Sequence, residues 1–171
     1  MLPADSKIIA ADTDRGRLSR IEPRKRRASA RNIETFLLGP GKEMESLEHL
    51  QASCDLVLID APCSGTGTWR RNPELRWRMT PKRLEHTSEL QQRLIELGSE
   101  LVKPGGRLVY AVCSLLDAEG GDQTDRFLEN HPEWREISID LPIGRPYRKG
   151  TLLSPHHDGT DGFYFTCLEK L

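Results

Sequence analysis

The sequence contains no apolar run approaching the ~20 residues that a membrane-spanning helix requires. It also lacks paired metal-ligand spacings. Its four cysteines, Cys54, Cys63, Cys113 and Cys167, stand far apart, with no CxxC and no Cys/His cluster. A zinc ribbon or finger is therefore excluded, and no metal is expected. The opening residues Met1 to Ser6 show neither a basic region nor an apolar core; the reading expects no secretory signal, no membrane attachment and a cytoplasmic location. Aromatics are scarce at 6%. No internal repeat or low-complexity tract is present.

What the chain does have is charge, 30% of 171 residues, balanced to a net −1. A uniformly basic nucleic-acid binder is excluded, but the average conceals a segregation. Residues 15–31 hold eight cations, Arg24 and Arg26 among them, against the single acid Glu22. Residues 70–83 hold six, including Arg70, Arg71 and Arg76, against Glu74. Such runs form either a solvated face or a polyanion footprint. Length and composition suit one soluble domain able to bury a core without staples.

The rhythm along the chain is strand, helix, strand. Residues 7–12 (KIIAAD) form an apolar run ending in an acid, and a charged helical stretch follows from Asp14, which Pro23 is expected to break or kink. Residues 34–38 read as a strand closed by Gly39-Pro40-Gly41, and 42–51 as a short helix. Residues 55–60 (DLVLID) form a continuous apolar strand, the pattern expected when both faces of a sheet are covered. Thr80 with Pro81 predicts a helix start. Leu90, Leu94, Leu97 and Leu101 then mark one buried stripe, stopped by Lys103-Pro104-Gly105-Gly106. Residues 107–113 (RLVYAVC) give another strand, 117–130 a weaker helix, and 162–168 a late strand, expected antiparallel at an edge.

This alternation defines an α/β domain with a doubly wound, largely parallel sheet, whose ligands bind beyond the carboxyl ends of the strands. Asp12, Asp60 and Cys113 stand at three such ends. An acid in the position of Asp12 commonly accepts hydrogen bonds from ribose hydroxyls. In Asp60-Ala61-Pro62-Cys63-Ser64-Gly65-Thr66-Gly67, small residues let a backbone approach a ligand, Pro62 stiffens the turn, and a thiol stands at its apex. Cys113, like Cys63, is followed by serine and ends a neighbouring strand. Two such thiols read as one site; Cys54 and Cys167 read as small buried hydrophobes. Trp69 and Trp77, lying among arginines, suit either base stacking or packing.

LVLIDAPCSGTGTWRRNPELRW, KPGGRLVYAVCSLLDAEG and DGTDGFYFTCLEK together resemble the RsmB/NSUN (Sun/Fmu) family of RNA cytosine-5 methyltransferases, over nearly the whole chain. Within it the likeness is to the carboxy-terminal part of bacterial enzymes acting on small-subunit ribosomal RNA. The resemblance implies a Rossmann-like class I methyltransferase fold and S-adenosylmethionine as cofactor. It implies Cys113 as the nucleophile on C6 of cytosine and Cys63 as the cysteine that helps break the adduct. Asp60 would contact the base and lie beside the cofactor's amino acid end, Asp12 would hold the cofactor's ribose, and Pro62 would shape the loop. Arg70, Arg71, Arg76, Arg24 and Arg26 would hold RNA phosphates.

The chain departs from the family in several respects: the family's amino-terminal RNA-binding region has no counterpart, and Gly39-Pro40-Gly41 follows residues 34–38 where an acid would usually hold the cofactor's adenine amino group. No strand with a glycine-rich loop lies before Lys7, so the whole of 1–171 is expected to be a single partial catalytic domain, its fold truncated at the strand that would lie between 7–12 and 55–60. Weak or absent cofactor binding is expected for the isolated chain. Two function classes remain: the RNA cytosine-5 methyltransferase, and a non-catalytic RNA-binding or assembly module derived from one. Methylation of an exocyclic nitrogen calls for a proline–aromatic pair after Asp60, where Pro62-Cys63 stands.

Overall fold

A computed structural model describes residues 6–171; residues 1–5, part of the segment read for a leader, lie outside them. The chain divides into two compact units, Met1–His49 and Leu50–Leu171.

In the first unit, β1 (Ile8–Asp12) pairs in parallel with β2 (Ile33–Leu37), Ile8 opposite Ile33 and Asp12 opposite Leu37. Parallel pairing needs a crossover, supplied by α1 (Arg15–Ser19) and α2 (Ile21–Ala28). Asp14 starts α1 by accepting the Arg17 N–H at 3.0 Å. The expected break at Pro23 falls instead at Arg20, which bonds back to Arg17 O and also precedes α2. Pro23 sits in the first turn of α2, where a missing N–H forfeits no helical bond. A short helix, α3 (Glu43–Leu47), follows β2.

In the second unit, β3 (Cys54–Asp60) is followed by α4 (Leu75–Arg78) and the long α5 (Pro81–Leu101). Next come β4 (Val102–Val112), α6 (Gly121–Asn130), β5 (Trp134–Glu136), β6 (Arg145–Tyr147), β7 (Gly150–Leu153), α7 (Pro155–Asp158) and β8 (Phe163–Lys170). The sheet runs β3-β4-β8-β7-β6, with β5 also on β8. Only β3 and β4 run parallel here; the other pairs in this sheet are antiparallel. The sheet is thus mixed. β8 is antiparallel as expected but not at the edge: it lies between β4 and β7, because the β6–β7 hairpin continues the sheet outward.

Thr80 caps α5 by accepting the Arg83 N–H at 3.2 Å, with Pro81 in the first turn. The helix buries Gln91, Ile95, Gly98, Ser99 and Leu101. The expected stripe was rotated by about one position: Leu90, Leu94 and Leu97 are half-buried. The cause is Gly98, where a Cβ would stand 2.7 Å from Ile59 Cδ1, so the helix comes closest to the sheet where its side chains are least bulky. Leu108, Tyr110, Val112, Tyr164 and Leu168 form the sheet's share of the core, with Phe127 and Trp134 packed edge to face.

The expectation that β3 is covered on both faces is corrected. Val57 and Ile59 pack against the core, whereas Leu56 and Leu58, on the opposite face, are 47% and 66% exposed. β3 is the end strand of its sheet, and β1 belongs to a separate two-stranded sheet. An apolar run records β propensity here, not two-sided burial. Leu58→Lys is therefore expected to change the unfolding free energy by no more than about 0.5 kcal/mol. Leu108→Ala, at a fully buried position, should cost roughly 2–5 kcal/mol. Urea denaturation followed by circular dichroism checks both.

Candidate active site

The parallel register sets Asp60 beside Ala111, so the chain leaves β3 and β4 at the same end of the sheet. Ala61 N donates to Ala111 O at 3.0 Å, extending the pairing one step. Cys63 and Cys113, the two thiols beyond these ends, meet with their sulfurs 3.3 Å apart. Both are half-buried. Asp60 is exposed, with no hydrogen-bond partner for its carboxylate among the described residues. The structure thus joins Cys63, Cys113, Asp60 and Pro62 in one place. Cys54 and Cys167 sit within β3 and β8, away from the thiol pair in the register.

The two sulfurs are not equivalent. The hydrogen bond from the Cys63 thiol favours the Cys113 thiolate and brings its pKa down to about 7, against burial and the negative charges of Asp60 and Glu119. The same bond, with burial, drives the Cys63 thiol upward. Near neutral pH, then, Cys113 is the thiol of the pair that ionises and Cys63 is the one that holds its proton.

The loop between the thiols is fixed by a close backbone crossing. Gly67 N donates to Cys113 O at 3.1 Å, and Gly162 N donates to Gly67 O at 2.8 Å. A Cβ on Gly67 would stand 2.0 Å from Gly162 O. The expectation that this glycine makes room for a ligand is corrected: the backbone entering β8 occupies the space. Gly65 serves the turn itself, at φ +71°.

Sequence reasoning missed the groups that hold this loop. Glu119, fully buried in the turn before α6, accepts from Ser64 N at 2.8 Å and Ser114 Oγ at 2.6 Å, and from Ser64 Oγ. Gln91 Nε2 reaches Pro62 O at 2.9 Å and Glu119 at 3.3 Å. Thr66 Oγ1 contacts Ser114 Oγ at 3.0 Å and accepts Leu115 N at 2.9 Å. The available signals were a glutamine among the leucines of α5 and an acid between Ala118 and Gly120.

The basic residues divide. Arg70 and Arg71 both pair with Asp161, at 3.5 and 2.5 Å. The Arg76 guanidinium lies 5.6 Å from the ring of Trp77, which is 82% exposed. Trp69 is half-buried, with its indole N–H buried and without a hydrogen-bond partner among the described residues. Arg24, Arg26 and Asp12 belong to the first unit. Arg26 pairs with Glu22 and Arg24 is exposed on α2. Asp12 accepts Asp14 N at 2.8 Å and faces Arg17 at 3.5 Å. Among the described residues, no cluster of histidine, cysteine and acid side chains suits a metal, and no helix is long and apolar enough to cross a membrane.

Paired thiols beside a carboxylate stand beyond the ends of two parallel strands. Comparison with known proteins places the chain in a family. The sequence profile described as 16S rRNA methyltransferase RsmB/F matches residues 1–169, and the chain belongs to that family. It is 44% identical over 121 residues to a probable ribosomal RNA small subunit methyltransferase B of Synechocystis, covering 68% of this chain and 27% of that protein. With ribosomal RNA small subunit methyltransferase B of Vibrio cholerae it shares 31% over 166 residues, 97% of this chain and 36% of the other. The crystal structure of NSun6 from Pyrococcus horikoshii with SFG superposes with a TM-score of 0.83 at 26% identity, covering 96% of this chain and 41% of that one. The fold is that of the class I methyltransferases. The chain spans about a quarter to about a third of the length of these curated relatives.

The thiol pair yields a direct test. Alkylation of Cys113 by iodoacetamide, followed by peptide mass spectrometry, is expected to rise with pH through a midpoint of about 7. In Cys63→Ala, which removes the donor to the thiolate, the midpoint should move up toward the ordinary thiol value of ~8.5.

Proposed function

We propose that the chain carries the catalytic site of an S-adenosylmethionine-dependent RNA cytosine-5 methyltransferase acting on small-subunit ribosomal RNA, with residues 1–171 forming one partial catalytic domain. The sulfur–sulfur contact between Cys63 and Cys113, at 3.3 Å, carries this reading. C5 of cytosine is a poor nucleophile until something adds at C6. The Cys113 thiolate forms the S–C6 bond, and the ring's electron pair moves to C5. Asp60, exposed at the end of β3, holds the polar edge of the base. Bound S-adenosylmethionine supplies the methyl group to C5. The C5 proton then leaves to a base, the S–C6 bond breaks, and Cys113 returns as thiolate. Cys63 assists that last step through the proton it shares with Cys113.

Two acids, one in each unit, suit polar groups of the cofactor, whereas Gly39-Pro40-Gly41 follows β2 where an acid would hold the adenine amino group. Asp12, at the end of β1, carries a half-buried carboxylate suited to ribose hydroxyls. Asp60 has a carboxylate with free lone pairs for the ammonium of the cofactor's amino acid end. Pro62 keeps the loop after β3 stiff. Arg70, Arg71 and Arg76, with Arg24 and Arg26 of the first unit, hold phosphates, and Trp77 offers a stacking face.

A small-subunit rRNA transcript containing 5-azacytidine should give a denaturant-resistant adduct with the full-length enzyme, lost in Cys113→Ala. Absence of an adduct, with RNA binding retained, would instead support the non-catalytic binding module. In filter binding, Arg76→Ala should reduce the slope of log affinity against log salt by roughly 0.7. Trp77→Ala should cost about 1–3 kcal/mol of binding with little change of slope.

A further inference from the structure

Glu119 is a carboxylate with no solvent exposure and, among the described residues, no cation within ion-pair distance. Burying such a charge is unfavourable unless hydrogen bonds replace the lost water. Here they come from both sides of the thiol pair. Ser64, the residue after Cys63, donates from its N–H to Oε1 at 2.8 Å and from its hydroxyl to Oε2. Ser114, the residue after Cys113, donates to Oε2 at 2.6 Å. One carboxylate thus ties together the two loops that carry the sulfurs, and Gln91 braces it from α5. An apolar side chain could have filled this space without the cost of burial. What it could not do is fix the relative position of two hydroxyls and an amide.

We propose that Glu119 is a positioning residue: by holding Ser64 and Ser114 on one carboxylate, it sets the distance between the Cys63 and Cys113 sulfurs and so controls proton sharing within the pair. This rests on the reading of the site given above, and it adds a group that never touches the base. The sulfur contact is short-ranged, so loosening the bridge by a fraction of an ångström weakens it.

The charges facing Cys113 make the test discriminating. They are Asp60 at the end of β3, Glu119 in the turn before α6, and Cys63 itself. If Glu119 acted only as a nearby negative charge, Glu119→Gln would lower the pH midpoint of Cys113 alkylation. If it only supported the fold, the midpoint would stay while thermal stability fell. A positioning role predicts a rise from about 7 toward ~8.5. The rate at which diamide links Cys63 to Cys113, taking up their two protons and two electrons, should meanwhile fall by roughly ten- to a hundredfold. Ser114→Ala, which removes one arm and keeps the charge, should shift both readouts the same way and serves if Glu119→Gln does not fold. A midpoint that is unchanged or lowered, in either folded variant, overturns the proposal. Neither readout needs RNA or methyl donor, so failure of the azacytidine adduct would sink the assigned function and leave this result to be judged separately.

Discussion

Two sulfur atoms 3.3 Å apart cannot both be ionised. At an effective dielectric constant of 20, two unit charges at that separation repel by ~5 kcal/mol. Above the Cys113 midpoint of about 7 the pair therefore shares one proton, whose position differentiates chemically similar thiols into a thiolate and a donor. The rest of the second unit serves to enforce that separation. The parallel pairing of β3 with β4 brings two strand ends level, and a tight loop on each side turns its cysteine inward toward the other. The asymmetry follows from the shared hydrogen bond and then from burial: Cys63 packs against the core, which makes it the thiol less able to carry charge.

Distance control at this level requires a rigid loop, and the site achieves it with interlocking constraints. The Gly67–Gly162 crossing is one: two backbones in contact admit no side chain and little movement. The buried carboxylate of Glu119 is another, costly to bury and satisfied by donors from both loops. The tyrosine beneath it follows the same logic. Tyr110 donates its hydroxyl to the backbone carbonyl of Glu119 at 2.5 Å, and its pKa is driven up by burial and by the carboxylate above. The hydroxyl stays protonated, which keeps it a donor. Polar groups in this core therefore serve to specify geometry rather than to add stability.

The legible and illegible parts of the chain separate along physical lines. The thiol pair was readable because each cysteine ends an apolar run, and β strands deliver their last side chains to one rim of a sheet. Helix starts at Asp14 and Thr80 were readable from local hydrogen bonding alone. Strand order was not, since nothing in GFYFTCL distinguishes an outer strand from one flanked on both sides. Nor does DLVLID record whether one face or two are covered. The stripe of α5 was misplaced because periodicity counts leucines, whereas the closest approach to the sheet is set by Gly98, with Gln91 buried beside it. Glu119 escaped notice for a related reason: an acid after a strand is ordinarily a solvated residue, and only the donors gathered from Ser64 and Ser114 explain its burial.

The same reasoning bears on the basic segment. Arg70 and Arg71 are satisfied by Asp161, yet both arginines remain largely exposed, and surface pairs of this kind contribute roughly 0–1 kcal/mol. On the proposed reading, an RNA phosphate needs to outbid only that small term. Asp161 in turn precedes Gly162, whose N–H holds Gly67 in the thiol loop. The guanidinium groups are therefore oriented by the same short stretch that fixes the sulfurs. Affinity from such arginines is modest and sequence-blind. On the proposed reading they would register the RNA backbone so that an unstacked base meets the Cys113 sulfur.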